Sequence, residues 1–385
     1  MTTDRTVQAR TNMVEELTRD GWLQTPAWQD AFRAVPRHLF LPRFFRLAPD
    51  QQRHEAIDQE HLDWPALIYA NTVLATQLDS DDARWQSARE DGPVEGTATS
   101  SSTQPSLMAS MLEALDIHAG QRVLEVGTGT GYNAALLCHR LGDEQVTSVE
   151  YDPTVAEHAR HALDEAGYHP TLVTGDGADG HPTGAPYDRL IATYSVSAIP
   201  PAWLNQVRPS GVLVASLYSD LGVGLMVRLV VDDSGAHGHL LPDSAYFMPT
   251  RTHARADTDA LVKTASKQPT ETARSSTLPE PISDTAPGWT ALAGLLMPKV
   301  ARLDILREDG AVQWLVHPDG SWAYYQATDR QVEQGGSRRL WNEVEAAHDR
   351  WQQLDHPARE RFGLTVLPDG TQRVWLDHEA NVVHS

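Results

Sequence analysis

Apolar positions recur at two periods along the chain, and the changes of period mark its elements. Val7, Met13, Val14 and Leu17 stand at helical spacing within residues 5–23, and Gly21 stops the predicted helix. A second helix is expected over Trp28–Ala34, ending before Pro36, and a third over Leu107–Leu115. The run Val123, Leu124, Val126 reads as a buried parallel strand that stops at Gly127, Gly129 and Gly131. Ala134 to Leu141 then has helical composition. Val146, Ser148 and Val149 give the next strand, Thr154–Ala166 a helix, and Thr171–Val173 and Tyr187–Thr193 further strands. Residues 199–217 predict a short helix, a Pro-Ser-Gly turn and a strand, and Gly224–Val231 with Gly238–Leu241 a strand pair. Strands alternating with helices in this way predict an α/β fold with a doubly wound sheet.

Two stretches interrupt the pattern. Residues 79–100 are polar and acidic with Gly, Pro and Ser, and are expected as a loop insertion. They lead into the hydroxyl cluster Thr99, Ser100, Ser101, Ser102, Thr103, where Ser102 or Thr103 could cap the following helix. Residues 252–288, rich in Thr, Ser, Pro and Ala, read as a linker or arm. Beyond them, Val312–Gln326 and Leu364–Asp377 each place Pro-Asp-Gly between alternating strands, a hairpin signature, with a helix over Arg338–Leu354 between them. This predicts a small α+β C-terminal domain with Trp314, Trp322, Tyr324, Trp341, Trp351 and Trp375 as its core, or alternatively as a peptide-gripping surface.

The glycine turn narrows the chemistry. Strand, glycine turn and helix form a nucleotide-binding unit: glycines let the backbone approach a ligand, and the helix start presents free N–H groups. A dinucleotide fingerprint would need Gly or Ala where Tyr132 stands, and a phosphate-cradling loop would need a Lys-Ser/Thr pair that is absent. Nineteen residues past Gly131, Glu150 closes the second strand, placed to accept hydrogen bonds from ribose hydroxyls.

Composition changes the picture in three places. A formal charge of −21 argues against nucleic-acid phosphates or an anionic membrane as partner. Cys138 is the only cysteine, so an intrachain disulfide and a cysteine metal cluster are both excluded; no metal is expected, and Cys138 reads as a small buried hydrophobe. The N-terminus lacks an apolar signal region and no long apolar run follows, so a soluble cytoplasmic protein is expected.

The sequence E-x-G-x-G-x-G from Glu125 resembles motif I of class I S-adenosylmethionine-dependent methyltransferases. AFRAVPRHLF, STQPSLMASMLEAL, VLEVGTGTGYNAALL, TSVEYD, TGDGADGHP and YDRLIATYSVSAIPPAWLNQVRPSGVLV follow in order, and over residues 5–250 the chain resembles the protein L-isoaspartyl (D-aspartyl) O-methyltransferase family. The resemblance implies a Rossmann-like class I methyltransferase core and S-adenosylmethionine as cofactor. It implies cofactor contacts from Glu125, Gly127, Thr128, Gly129, Gly131, Tyr132, Asn133, Glu150, Tyr151, Asp176, Gly177 and Thr193. Thr103, with Ser102 or Ser101 as second candidates, would orient the reacting carboxylate; Tyr194 and Ser195 are weaker candidates. The family's Ser in I-S-x-P is here Thr103.

The domain organisation expected is an N-terminal substrate-side segment over 1–78, the insertion over 79–100 and a cofactor-binding core over 101–250. A linker over 251–288 and an accessory domain over 289–385 complete it. The longer architecture resembles actinobacterial relatives, some of which modify ribosomally made peptides such as lanthipeptides and graspetides, and the threonine and the acidic insertion point the same way. They would imply a cyclised peptide aspartate as substrate, its ester collapsing to an aspartimide. The alternatives are plain repair of isoaspartyl residues in damaged proteins, a small-molecule carboxyl methyltransferase, and a non-catalytic cofactor-binding protein.

Overall fold

The computed structural model describes residues 2–251, 257–278, 282–283, 287–307 and 310–384. Two compact units divide the chain. The first comprises Met1–Tyr194, Pro200–Ala215 and Val230–Gly235. It begins with α1 (Thr2–Arg19) and α2 (Pro26–Ala34), the latter started by proline in its first turn and burying Trp28, Ala31 and Phe32. Arg37–Phe40 form a 3-10 turn. An antiparallel sheet follows, made of β1 (Arg43–Leu47), β2 (His54–Asp58), β3 (Leu74–Leu78) and β4 (Ala98–Ser102) in the order β2-β1-β3-β4. Two short helices, α3 (Trp64–Ile68) and α4 (Ala83–Glu90), interrupt it, and α5 (Pro105–Leu115) leads on to the α/β core.

That core contains β5 (Val123–Val126), α6 (Tyr132–Leu141), β6 (Val146–Glu150), α7 (Pro153–Ala166) and β7 (Thr171–Thr174). It is completed by β8 (Tyr187–Val196), α8 (Pro201–Leu204) and β9 (Val207–Ser219), of which the unit takes Tyr187–Tyr194 and Val207–Ala215 from the two strands. The sheet order is β9-β8-β5-β6-β7, with β8, β5, β6 and β7 parallel. Every residue of β5 and β6 is buried, as a parallel strand covered on both faces requires. Chain order reverses between β8 and β5, and the crevice at the carboxyl ends of the strands there is where open α/β sheets bind ligands.

Three expectations change here. Residues 79–100 are not a plain loop: they hold α4 and the start of β4. Trp85 and Ala88, three apart on α4, pack with Phe45 and Leu78, an apolar face too short to show as periodicity. Neither Ser102 nor Thr103 caps α5; its N-cap is Gln104, with no side-chain cap bond, and Ser102 belongs to β4. The Pro-Ser-Gly turn is absorbed into β9, where Ser210 takes a φ of 65° and a side chain on Gly211 would come within 2.9 Å of the Asp188 carbonyl.

The second unit comprises Ser195–Ile199, Ser216–Leu229 and Ala236–Ser385. Its elements are β10 (Val223–Asp232), β11 (Gly235–Leu240), α9 (Thr258–Ala265), β12 (Thr272–Ser275), α10 (Pro287–Leu296) and β13 (Ala301–Arg307). β14 (Gly310–Val316), β15 (Trp322–Gln326), β16 (Gln331–Gly335), α11 (Leu340–Gln353), β17 (Phe362–Val366), β18 (Gln372–Leu376) and β19 (Val382–His384) follow. Both expected hairpins form, closing at Val316↔Trp322 and Val366↔Gln372. They lie in different sheets, however: one in β12-β16-β15-β14-β13, the other in β19-β18-β17-β11-β10. The stretch expected as a linker supplies α9 and β12, and Thr272–Ser275 register against Gln331–Gln334. Its residues 252–256, 279–281 and 284–286 lie outside the described residues. β12 escapes pattern reading because it is a polar edge strand, held through Arg274 on Glu345.

The aromatic residues are core. Trp314 and Trp322 pack with Ala265, Ala301, Val312 and Val316. Trp341 is fully buried and stacks on Tyr325 at 4.3 Å, and Trp375 is buried edge-on to His239 at 4.7 Å. Trp314, Trp322, Trp341 and Trp375 are buried, while Tyr324 and Trp351 are partly buried. Among the described residues no helix is long and apolar enough to cross a membrane.

One side chain anchors the α7 start. Asp152 Oδ1 accepts from the N–H groups of Thr154 and Val155 at 2.8 and 3.2 Å, and its Oδ2 accepts from Gln77 Nε2 at 3.2 Å. Asp152→Ala is therefore expected to cost about 0.5–2 kcal/mol, because the helix cap and the hydrogen bond from Gln77 are both lost. Urea denaturation measures it; unchanged stability would show that the cap contributes nothing.

Candidate active site

β5 ends at Val126 and the chain turns through Gly127, Gly129 and Gly131 at φ of 98°, 55° and 86°. A side chain at Gly127 would meet Thr193 Oγ1 at 2.6 Å, so only glycine packs there. At Gly129 it would meet nothing nearer than the Ser101 carbonyl, 3.6 Å away, and at Gly175 nothing within 4 Å. These two loops thus border open space at the carboxyl ends of β5 and β7. The Gly129 N–H donates to Glu150 Oε2 at 2.8 Å and the Asp152 N–H to Glu150 Oε1 at 3.1 Å. The Glu150 carboxylate is thereby fixed beside the loop, with lone pairs left for a further donor.

Several expected cofactor residues lie beneath this loop rather than on its open side. Glu125 is completely buried, accepting from Asn133 Nδ2 at 2.7 Å and from Ser148 Oγ at 2.5 Å. Ser148 Oγ also pairs with Thr128 Oγ1 at 2.6 Å. Burial pushes the Glu125 carboxyl up to about 7, the two hydrogen bonds pulling against it and the Glu150 charge adding to it. Glu125, Thr128 and Asn133 therefore brace the loop from below, and their side chains are corrected from ligand contacts to supports. Tyr132 is likewise corrected. Its buried ring faces Phe32 and Phe40 at centroid distances of 6.2 and 5.8 Å, and the Arg37 guanidinium lies 5.8 Å away.

The remaining candidates gather at the strand ends. Tyr151, next to Glu150, is half-exposed. Asp176 Oδ1 accepts from the Ala178 N–H at 2.9 Å, and the Gly177 carbonyl accepts from Trp203 Nε1 at 2.8 Å. Thr193 Oγ1 donates to the Val126 carbonyl at 3.2 Å and lies against the Gly127 carbonyl, tying β8 to the loop. Tyr194 lies across Gly127 and Gly177, and its buried hydroxyl has no hydrogen-bond partner among the described residues. Burial pushes that phenol up, and the Asp176 and Glu150 charges push the same way. Ser195 is completely buried with its hydroxyl on Ser216 Oγ at 2.8 Å, which removes it from the candidates.

The hydroxyls at the end of β4 differ in what they bind, and Thr99, on the same side of the strand as Ser101, donates to Gln77 Oε1 at 2.9 Å. Ser100 accepts from Thr76 Oγ1 at 3.0 Å, and buried Ser102 accepts from Arg37 Nη2 at 3.2 Å. Ser101 and Thr103 have side-chain hydroxyls that form no hydrogen bond among the described residues, and the Ser101 carbonyl faces Gly129. Ser102 is thus committed internally, while Ser101 and Thr103 are available. Two residues escaped sequence reading. Arg37 lies inside AFRAVPRHLF, where the irregular Pro-Arg was the signal; Gln77 bridges Thr99 Oγ1 and Asp152, and nothing in its sequence context marked it.

The family model for protein-L-isoaspartate (D-aspartate) O-methyltransferase matches residues 80–222. A protein-L-isoaspartate O-methyltransferase of Hyperthermus butylicus is 33% identical over 217 residues, 54% of this chain and 74% of the relative. One from Archaeoglobus fulgidus is 30% identical over 247 residues, 63% of this chain and 93% of the relative. The chain belongs to the protein-L-isoaspartate O-methyltransferase family. A solved protein-L-isoaspartate O-methyltransferase shares the fold with a TM-score of 0.53 at 21% identity, covering 96% of this chain and all of that one. The fold is that of the class I S-adenosylmethionine-dependent methyltransferases. The family match begins at residue 80, within the acidic stretch 79–100.

The raised Glu125 carboxyl sets a pH dependence. The folded protein holds a proton that the unfolded chain, with an ordinary value of 4.5, releases, so stability falls as pH rises from about 4.5 to about 7. Glu125→Gln is expected to flatten that fall by on the order of 2–3 kcal/mol across the window. Denaturation of both proteins at pH 5, 6, 7 and 8 checks it (roughly a one-unit grid suffices). Parallel curves for the two would mean that Glu125 is ionised throughout.

Proposed function

We propose that this chain transfers a methyl group from S-adenosylmethionine to the free carboxylate of isoaspartyl residues in proteins and peptides. The observation that carries the reading is the pair of unengaged hydroxyls, Ser101 and Thr103, at the end of a strand whose Ser101 carbonyl faces Gly129. The residues present fit the cofactor. Open space borders Gly129 and Gly175, Glu150 retains acceptor capacity for ribose hydroxyls, and Tyr194 carries a buried hydroxyl without a hydrogen-bond partner among the described residues. Tyr151 and the Asp176–Gly177 backbone border the same crevice and would line the purine.

When bound, the cofactor supplies an electrophilic sulfonium methyl. The chain's own task is positional, since a carboxylate is already ionised at neutral pH and needs no strong base. Thr103 donates one hydrogen bond to a carboxylate oxygen and leaves the other oxygen free to react, with Ser101 as the second donor. Holding two reactants in line is worth about 7–11 kcal/mol, which is ample for an enzyme that does little else.

A dedicated cyclised-peptide substrate rests on three features, and two of them are accounted for otherwise. The acidic stretch is folded in part, as α4 and the start of β4, and four of the six C-terminal aromatics are buried as core. Only Thr103 in place of serine remains, and threonine keeps the hydroxyl. Repair of isoaspartyl residues is therefore the reading we favour.

The test is a labelled-cofactor assay comparing an isoaspartyl hexapeptide with its ordinary aspartyl counterpart. Base-labile label is expected on the isoaspartyl peptide alone; no label, or equal label on both, would overturn the reading. Thr103→Ala is expected to lower turnover on the order of 10–100-fold while leaving the melting temperature unchanged, since its hydroxyl supports nothing in the fold. A loss of stability with turnover intact would make the hydroxyl structural.

A further inference from the structure

Arg37 is the least expected side chain in the first unit. It follows Pro36 on a 3-10 turn and is completely buried. Burial lowers its pKa to about 10, so it stays cationic at neutral pH, yet no carboxylate lies within ion-pair distance of it among the described residues. A buried cation without a counter-charge is costly. What it has instead is four acceptors from two segments. Nη1 donates to the carbonyls of Ile68 at 2.7 Å and Ala70 at 3.4 Å. Nη2 donates to Ser102 Oγ at 3.2 Å and the Thr103 carbonyl at 3.1 Å. The guanidinium carbon stands 5.8 Å from the centre of the Tyr132 ring, and Tyr132 is the first residue of α6, directly after the glycine turn.

We infer that Arg37 is a positioning residue for methyl transfer: its guanidinium fork fixes the Thr103 backbone, and with it the Thr103 hydroxyl, relative to the glycine turn. Holding loop carbonyls alone would need only a neutral donor. The planar fork does more, because it ties the chain after α3 and the end of β4 to one rigid group seated on the start of α6. Ser102 is then part of the same device, a buried acceptor that selects which way Nη2 points. The inference rests on the methyl-transfer reading, and it assigns Arg37 no contact with substrate or cofactor.

The experiment is a double-mutant cycle between Arg37→Lys and Thr103→Ala on the full chain. It is read as kcat and KM for the isoaspartyl hexapeptide, with affinity for S-adenosylhomocysteine and melting temperature alongside. Arg37→Lys keeps the charge but loses the fork, and kcat is expected to fall on the order of 10-fold or more, with KM and cofactor affinity little changed. In the Thr103→Ala background the same substitution is expected to cost no further kcat, because the group it positions is gone. A merely structural arginine would lower kcat by the same factor in both backgrounds, in step with stability, and that result overturns the inference. So does an undiminished kcat in Arg37→Lys. If Arg37→Lys does not fold, Ser102→Ala takes its place in the cycle, with the same coupling expected and full additivity counting against it. An unsubstituted chain that methylates no isoaspartyl peptide would instead overturn the functional reading, and this inference with it.

Discussion

The hydrogen bond from the Gly129 N–H to the Glu150 carboxylate closes the turn after β5 against the tip of β6, and the site is arranged around that closure. The three glycines of the turn, all at positive φ, have no side chains to hold it, so its shape comes from neighbours and from Thr128 within it. Glu150 holds it from the side, Thr193 from β8, and the Glu125–Ser148–Thr128 chain with Asn133 from below. Hydrogen bonds to a charged group contribute roughly 1.5–3 kcal/mol each, against about 1 for neutral pairs, so the Glu150 closure is among the strongest local constraints. The open side of the turn is thereby left to backbone and to empty space, as close approach of a ligand requires.

β4 solves a related problem on the substrate side. Of its run of hydroxyls, Thr99 is held by Gln77 and so is spent in the fold, although it shares a face with Ser101. Ser100 and Ser102 hold the strand to β3 and to Arg37; Ser101 and Thr103 stay uncommitted. The buried guanidinium gives this strand end a fixed height above the core.

The second unit contributes differently. Its tryptophans fill the interiors of two sheets, and its helix α11 is held by Trp341 stacked on Tyr325. Large aromatic side chains bury much apolar area per residue, which suits a unit built from short strands with many turns. Burial of this kind makes them the packing of the unit.

How much was legible in the sequence follows from how local each cause is. The glycine turn, the acid at the end of β6, the α/β alternation and both Pro-Asp-Gly hairpins were readable because period, turn chemistry and offset are properties of short segments. Other features depend on partners distant in the chain. α4 shows only once Phe45 and Leu78 supply a surface for Trp85, and β12 only once β16 offers it an edge. The hairpins were evident, but their assignment to separate sheets was decided by β11 pairing with β17. Glu125, Thr128, Tyr132 and Asn133 carry a motif that names them together, yet burial turns their side chains into supports. Thr103 and Ser102 are neighbours of nearly the same chemistry, and sequence alone cannot rank them. Arg37, sixty-five residues before Ser102, takes the Ser102 hydroxyl as an acceptor and leaves that of Thr103 free. That choice belongs to the tertiary structure, because it is made by which side chain the core must satisfy and which it can spare.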